Sequence, residues 1–230
     1  MKDDKYKEEI HLDLRSVYLR SEYPLQIHID KGNRAVSGRF FNLHNHKPTF
    51  KLLAEDQETV LLTGGSLTAP YVMDQFHFHV YCTRAEAEQH TLDGSQFLLH
   101  LVFFRKKYKK YNKAVHRFQD GLVAIAIPLE VKEEGYETKN PQMGKFASLV
   151  DYISRNENHT VATTASLKQL ATPVFHKDAQ YHAYRGNLVE PIQCHDCVDV
   201  FLTKEPITIS VNQITEFRKA PHCVENDWEF

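Results

Sequence analysis

The chain contains 230 residues, of which 42% are hydrophobic and 11% aromatic, and this is enough to bury the core of one large domain. Lysine and arginine together number 28 and aspartate and glutamate 30, which gives a formal net charge of −2. Such a balance argues against a dedicated nucleic-acid binder, because that function needs excess positive charge to neutralise phosphates.

The sequence signals for localisation point in two directions. No apolar run is long enough to span a bilayer, and the charged start, MKDDK, leads into no apolar segment of the signal-peptide type, which predicts a cytoplasmic protein. The N-glycosylation sequon at residues 158–160 and the four cysteines, Cys82, Cys194, Cys197 and Cys223, favour secretion instead. Both localisations stay open.

Strand-like patterns dominate the chain. Residues 24–29 alternate between apolar and polar side chains. The segments 49–53 and 59–63 flank the polar residues 55–57 and predict a hairpin. Further strand-like segments lie at 75–81, 96–104, 122–131, 198–202 and 207–211.

Helical patterns are few. One spans residues 145–155, and a shorter one spans residues 211–218. No internal repeat and no linker-like segment interrupts the chain. These patterns predict a mainly β (α+β) fold, a single domain over residues 1–230 that is built on a large, mostly antiparallel twisted sheet with a few surface helices.

A basic run, RKKYKK, occupies residues 105–110. Two interpretations stand side by side, a solvated loop and a local anion-binding patch. The solvated loop is the commoner outcome for such a run.

Three histidines on two strand-like segments form the most informative pattern. His77 and His79 alternate with Phe76, Phe78 and Val80, so the two imidazoles point to one face of a strand. Downstream, a single histidine interrupts the apolar segment FLLHLV at residues 97–102.

A histidine in such an apolar strand needs a polar partner, because burying it unpaired costs about 1–3 kcal/mol. A metal shared by His77, His79 and His100 would supply that partner, and three imidazoles with a fourth position open are the layout of a catalytic zinc site. The alternatives are a hydrogen bond to backbone and a cupin-type H-x-H site. The cupin glutamate is missing from residues 80–84, VYCTR.

The motifs around these histidines resemble those of the α-carbonic anhydrases. Q-F-H-F-H at 75–79, Q-H-T-L-D-G at 89–94 and H-L-V at 100–102 follow the family's Q-F-H-F-H-W, E-H-T-V-D and E-L-H-L-V in order. D-G-L at 120–122, the Y-x-G-S-L-like turn at 184–188 and K-E-P-I at 204–207 extend the likeness. It covers about residues 10–228.

The resemblance implies a zinc protein that converts carbon dioxide to bicarbonate. His77, His79 and His100 would be the zinc ligands, Gln75 would orient the first of them, and His90 would be a buried structural histidine. The apolar pocket for carbon dioxide would be lined by Val102, Ala124, Leu188, Val198 and Val200.

Several catalytic positions depart from the family pattern. Val189 stands where active members have a threonine that accepts a hydrogen bond from the zinc hydroxide, and Gln89 stands where that threonine's glutamate partner is expected. Glu190 follows Val189 and would place a carboxylate at the mouth of the metal pocket. We hypothesise that Glu190 hydrogen-bonds the metal-bound water or narrows access to the metal. The alternative is a solvent-facing rim residue.

Two further supports of catalysis are also changed. Leu98 replaces the glutamate that orients the third histidine, which weakens metal affinity or activity by about 10–100-fold in comparable sites. The proton-shuttle histidine aligns with Pro48, and His44 or His46 nearby would be its substitute.

Cys194 and Cys197 form a C-x-x-C spacing, which is also typical of redox and metal sites. By resemblance, one of them would pair with Cys223, as in secreted members of the family. Free thiols are the alternative that we favour.

Three functions follow from this pattern. The first is a carbonic anhydrase of impaired rate, and the second is a catalytically weak or inactive carbonic-anhydrase-related binding protein with a protein partner. The third is a zinc site repurposed for another substrate around Glu190.

Overall fold

The computed structural model describes residues 18–19, 25–29, 35–42, 47–83, 97–117, 119–132, 140–155, 159–176, 178–188 and 194–220. The strands are β1 (Tyr18–Leu19), β2 (Leu25–Ile29), β3 (Val36–Asn42), β4 (Pro48–Leu52), β5 (Val60–Gly64), β6 (Tyr71–Val80), β7 (Phe97–Arg105), β8 (Leu122–Lys132), β9 (Thr160–Ala165), β10 (Tyr181–Leu188), β11 (Cys194–Thr203) and β12 (Ile207–Ser210). The helices are α1 (Ala54–Gln57), α2 (Tyr111–Ala114), α3 (Pro141–Ser154), α4 (Leu167–Leu170) and α5 (Val211–Arg218), with 3-10 turns at Lys106–Tyr108 and Thr172–Phe175.

The strands form one twelve-stranded sheet in the order β1-β10-β11-β8-β7-β6-β4-β3-β9. Off this path, β12 pairs with β8, and β5 joins β2 to β6. Strands β11 and β12 run parallel to β8, and the other pairings among the described strands are antiparallel. The prediction of a large, mostly antiparallel sheet with few helices is confirmed, whereas a single domain over residues 1–230 stays a prediction.

The sheet buries one face against helices α3 and α5. Strand β7 shows why, because Leu99, Leu101 and Phe103 alternate into the main core while the residues between them face the opposite side. Phe146 of α3 lies at the centre of this core, with its ring centroid 5.0 Å from that of Phe40. The opposite face of β6 and β7 holds two smaller apolar clusters with polar side chains between them.

Within the part of the chain that the structure describes, the two helices longer than one turn begin at side-chain caps. The side chain of Asn140 accepts hydrogen bonds from the backbone N–H groups of Gln142 and Met143, and Pro141 occupies the first turn, so α3 begins before the predicted residue 145. Ser210 and Gln213 form a capping box at the start of α5, which confirms the predicted helix at 211–218. No helix within the described residues is both long and apolar enough to cross a bilayer.

The predicted hairpin of residues 49–53 and 59–63 is wrong. Strands β4 and β5 both pair with the same edge of β6, β4 beside residues 75–77 and β5 beside residues 71–72, so they follow one another along that edge. The polar residues between them form helix α1, in which Asp56 accepts the backbone N–H of Ser37 at 2.6 Å. This bond ties the connection to β3 and leaves no tight turn.

The segment 184–188 is also not a turn. It continues strand β10 opposite β11, with an irregularity in register between Gly186 and Leu188. Sequence patterns alone did not predict β3, β9 or β10, because these strands carry polar side chains between short apolar groups.

Replacing Phe146 with alanine tests the account of the core. The side chain is fully buried among the rings of Phe40, Phe50, Phe76 and Phe78. We expect Phe146→Ala to lower the free energy of unfolding by about 3–5 kcal/mol in urea denaturation. Exposed Ser148 on the same helix is the control. Ser148→Ala should change the free energy of unfolding by about 0.5 kcal/mol or less. A loss in Phe146→Ala no larger than the control's would contradict the packing described here.

Candidate metal centre

The pairing of β6 with β7 brings the three histidines together. His77 lies directly opposite His100, and His79 lies opposite Leu98, one alternation further along the same face. Strand β4 extends this row, because Thr49 pairs with His77 on its other side. The alternation that the sequence predicts therefore places all three imidazoles on the face that the helices leave free.

The ligand atoms of the three rings converge on one point. One nitrogen of each imidazole lies within 4.8 Å of the corresponding nitrogen on the other two. His77 Nε2 and His100 Nδ1 are 3.1 Å apart. Two nitrogens bound to one tetrahedral zinc at the usual bond length are about 3.4 Å apart, so this spacing fits the ion with little movement.

The surroundings keep the rings of His77 and His100 neutral. Burial, the His100 ring and the Lys47 ammonium lower the pKa of His77 well below its usual value. Burial and Lys47 lower the pKa of His100 to about 4. Neutral imidazole is the form that binds a metal, so near neutral pH these two ligands need lose no proton to a solvent base before binding.

The hydrogen bond expected from Gln75 to the first histidine is not formed. Nδ1 of His77 is buried and has no hydrogen-bond partner among the described residues. At the third histidine, Leu98 packs with Tyr81, Ala126 and Leu202 in a small apolar cluster. The side chain at position 98 therefore supplies packing where a glutamate would supply an acceptor.

Apolar side chains flank the histidine row. Val102, Ala124 and Val200 lie in register beside one another on β7, β8 and β11, one alternation away from His100. Val198 follows one alternation further along β11 and is buried. For Leu188 the structure describes only the backbone, at the end of β10.

Five of the predicted site residues lie outside the described residues. The roles assigned to them stay predictions. They are His46, Gln89, His90, Val189 and Glu190.

The ring of Tyr81 is a contact of the metal centre that the sequence reasoning missed. It stacks on the ring of His79, with centroids 4.4 Å apart and planes at 25°. The signal was present in the sequence, because position 81 continues the alternation of 77 and 79. The Tyr81 ring therefore restricts rotation of the His79 side chain, next to the apolar Leu98.

The cysteines divide into two kinds. Neither Cys194 nor Cys197 forms a disulfide, so the predicted pairing of either with Cys223 is wrong and the preferred prediction of two thiols is confirmed. Cys82 is disulfide-bonded, and its partner lies outside the described residues. This bond follows directly on strand β6, two residues after its end.

Comparison with known proteins agrees with this geometry. The family model of eukaryotic-type carbonic anhydrase matches residues 10–228. The chain is 30% identical to carbonic anhydrase 3 of Equus caballus over 186 residues, which are 80% of this chain and 67% of that protein. Against carbonic anhydrase 3 of Homo sapiens it is 28% identical over 187 residues, covering 80% and 68%. Against carbonic anhydrase 1 of Oryctolagus cuniculus it is 28% identical over 210 residues, covering 90% and 83%. The chain therefore belongs to the eukaryotic-type carbonic anhydrase family.

Proposed function

We propose that the chain binds Zn²⁺ on His77, His79 and His100 and hydrates carbon dioxide to bicarbonate at a reduced rate. The observation that carries the proposal is the convergence of three imidazole nitrogens within 4.8 Å of one another. Zinc would act there as a Lewis acid that activates water, and carbonic anhydrase is itself the reference case for this chemistry.

In this proposal the side chains of the site bind and orient the substrate rather than transfer protons. Val102, Ala124 and Val200 offer an apolar surface beside the histidines, which suits an uncharged linear substrate and excludes water. Val189 has the shape of threonine and no hydrogen-bond acceptor. Losing one hydrogen bond to a charged group costs about 1.5–3 kcal/mol, or roughly ten- to a hundredfold in rate.

A second candidate is a carbonic-anhydrase-related protein that binds a partner and has little activity, or one whose site serves another substrate around Glu190. Two observations favour it. Nδ1 of His77 has no partner among the described residues, and the side chain at position 98 lies in an apolar cluster. The hydrogen bonds that the side chains at positions 75 and 98 would make to His77 and His100 are therefore missing. The loss of such orienting bonds weakens metal binding.

The disulfide at Cys82 supports the secreted alternative for localisation, because disulfides persist mainly in oxidising compartments. The substrate pair in our proposal is carbon dioxide and bicarbonate.

Mass spectrometry after alkylation of the unreduced protein in denaturant, which exposes buried Cys197, checks the disulfide at Cys82. We expect Cys194 and Cys197 to be alkylated and Cys82 to be protected.

Zinc content and carbon dioxide hydration, measured on the same preparation, test the proposal. We expect about one zinc per chain and hydration above the buffer rate in stopped flow. His100→Ala should lose both, because it removes one of three ligands. His116→Ala, which changes an exposed histidine outside the site, should lose neither. A protein that takes up no zinc would exclude the enzyme, and zinc without hydration would favour the second candidate.

The paired substitutions at 189 and 89 can be reversed together. We expect Val189→Thr with Gln89→Glu to raise the hydration rate by at least about tenfold, because the hydroxyl regains both an acceptor role and a partner for its own proton. Val189→Thr alone should gain less, and Gln89→Glu alone should gain nothing, since its carboxylate then has no threonine hydroxyl to accept from. A double variant that holds zinc and is no faster than the parent would contradict this account.

A further inference from the structure

A cavity lies on the face of the sheet that carries the three histidines. Its volume is about 460 Å³, and its lining includes Lys51, Asp74, Phe104 and Tyr111. Lys51 lies two residues from Thr49, the residue opposite His77, and therefore on the same face of β4. Helix α2 and the residues before it form the opposite wall of the cavity.

The floor of this cavity holds a buried carboxylate with one unsatisfied oxygen. Asp74 is 2% exposed and sits where the register of β6 shifts between Met73 and Gln75. Its Oδ1 accepts a hydrogen bond from Gln57 Nε2 at 2.9 Å. Its Oδ2 has no hydrogen-bond partner among the described residues and lies 3.6 Å from Lys51 Nζ, an ion-pair distance that is too long for a hydrogen bond.

The pKa values at the cavity reflect this burial. Desolvation raises the pKa of Asp74 above its usual value, against the opposing effect of Lys51. Burial and the charge of Asp74 raise the pKa of Tyr111 to about 12, so its phenol stays protonated near neutral pH. A buried acceptor with an open lone pair is costly unless another group donates to it.

The rim of the cavity is positively charged and only partly neutralised. Asp120 forms ion pairs with Arg105 and Lys107, so these two cations of the basic run already face a carboxylate. The other three lysines of the run line the cavity and have no carboxylate partner within 4.0 Å among the described residues. They are Lys106, Lys109 and Lys110.

The backbone at Lys109 adds a second unusual feature of the rim. Its φ of 64° lies in the left-handed region, which glycine adopts without strain and a lysine adopts at a cost. This conformation ends the 3-10 turn at Lys106–Tyr108 on the rim of the cavity.

We propose that this cavity binds a small organic anion that carries a hydroxyl group. The anionic group pairs with the lysines of the rim, and the hydroxyl donates a hydrogen bond to Asp74 Oδ2. A simple cation is opposed by the lysines, and an anion without a donor leaves Oδ2 of Asp74 without a hydrogen bond. The volume also suits an organic molecule better than a lone inorganic ion.

Two matched pairs of probes test the proposal by calorimetry on the purified chain at low ionic strength. The first pair is malate and succinate, and the second is glycerol 3-phosphate and propyl phosphate. In each pair only one member carries hydroxyl groups. We expect the hydroxylated member of at least one pair to bind at least about fivefold more tightly than its partner. The pair that binds distinguishes a carboxylate ligand from a phosphate ligand.

Four variants assign the binding to this cavity. Asp74→Asn should abolish the preference for the hydroxylated probe. Lys109→Gln should weaken the binding of both members of the pair by about three- to fivefold. Lys113→Gln is the matched control, because it removes the same charge from α2 but lines a neighbouring cleft, and it should change binding by less than about twofold. His100→Ala removes the metal centre and should leave the preference intact, which separates this site from ligation of zinc by the probes.

Several results would overturn the proposal. These are failure of all four probes to bind, equal binding within both pairs, a preference that survives Asp74→Asn, and a loss in Lys113→Gln as large as in Lys109→Gln. A preference that disappears with His100→Ala would place the anion on the metal and overturn it as well. If Asp74→Asn does not fold, the two lysine variants still decide between the cavity and general charge attraction.

Discussion

The register between β6 and β7 is the constraint on which the site depends. Pairing His77 with His100 sets two imidazole nitrogens 3.1 Å apart, and the alternation of β6 then adds His79 to the same face. A shift of one residue in either strand would turn its histidines into the phenylalanine core behind the sheet. That core, with Phe146 at its centre, therefore fixes the register that brings the three histidines together.

The residues behind the ligands define how this member departs from its family. Leu98 lies among apolar side chains where the family has a carboxylate, and Tyr81 stacks on His79. Gln75 is kept, but Nδ1 of His77 has no hydrogen-bond partner among the described residues. Packing restricts a ring but cannot raise the basicity of its nitrogen. In the proposed zinc site the three imidazoles therefore keep their geometry with fewer hydrogen bonds to orient them.

The sequence predicted the parts of this structure that follow from periodicity. The strand alternation of 75–81 and the lone histidine in 97–102 were sufficient to predict the convergence of three imidazoles. The hairpin prediction failed because two strands with a short polar connection can also pair side by side with a third strand, and periodicity does not distinguish these arrangements. The cavity at Asp74 was not predictable, since a strand irregularity brings the carboxylate under lysines that are 32–36 residues away in the chain.

The central claim is that His77, His79 and His100 bind a single cation together. X-ray absorption spectroscopy of the zinc-loaded protein tests it most directly. The account predicts three imidazole ligands at the usual zinc–nitrogen distance of about 2.0–2.1 Å, together with one further oxygen ligand. A spectrum with fewer than three imidazoles, or with sulfur from Cys194 or Cys197 in the coordination sphere, would contradict it.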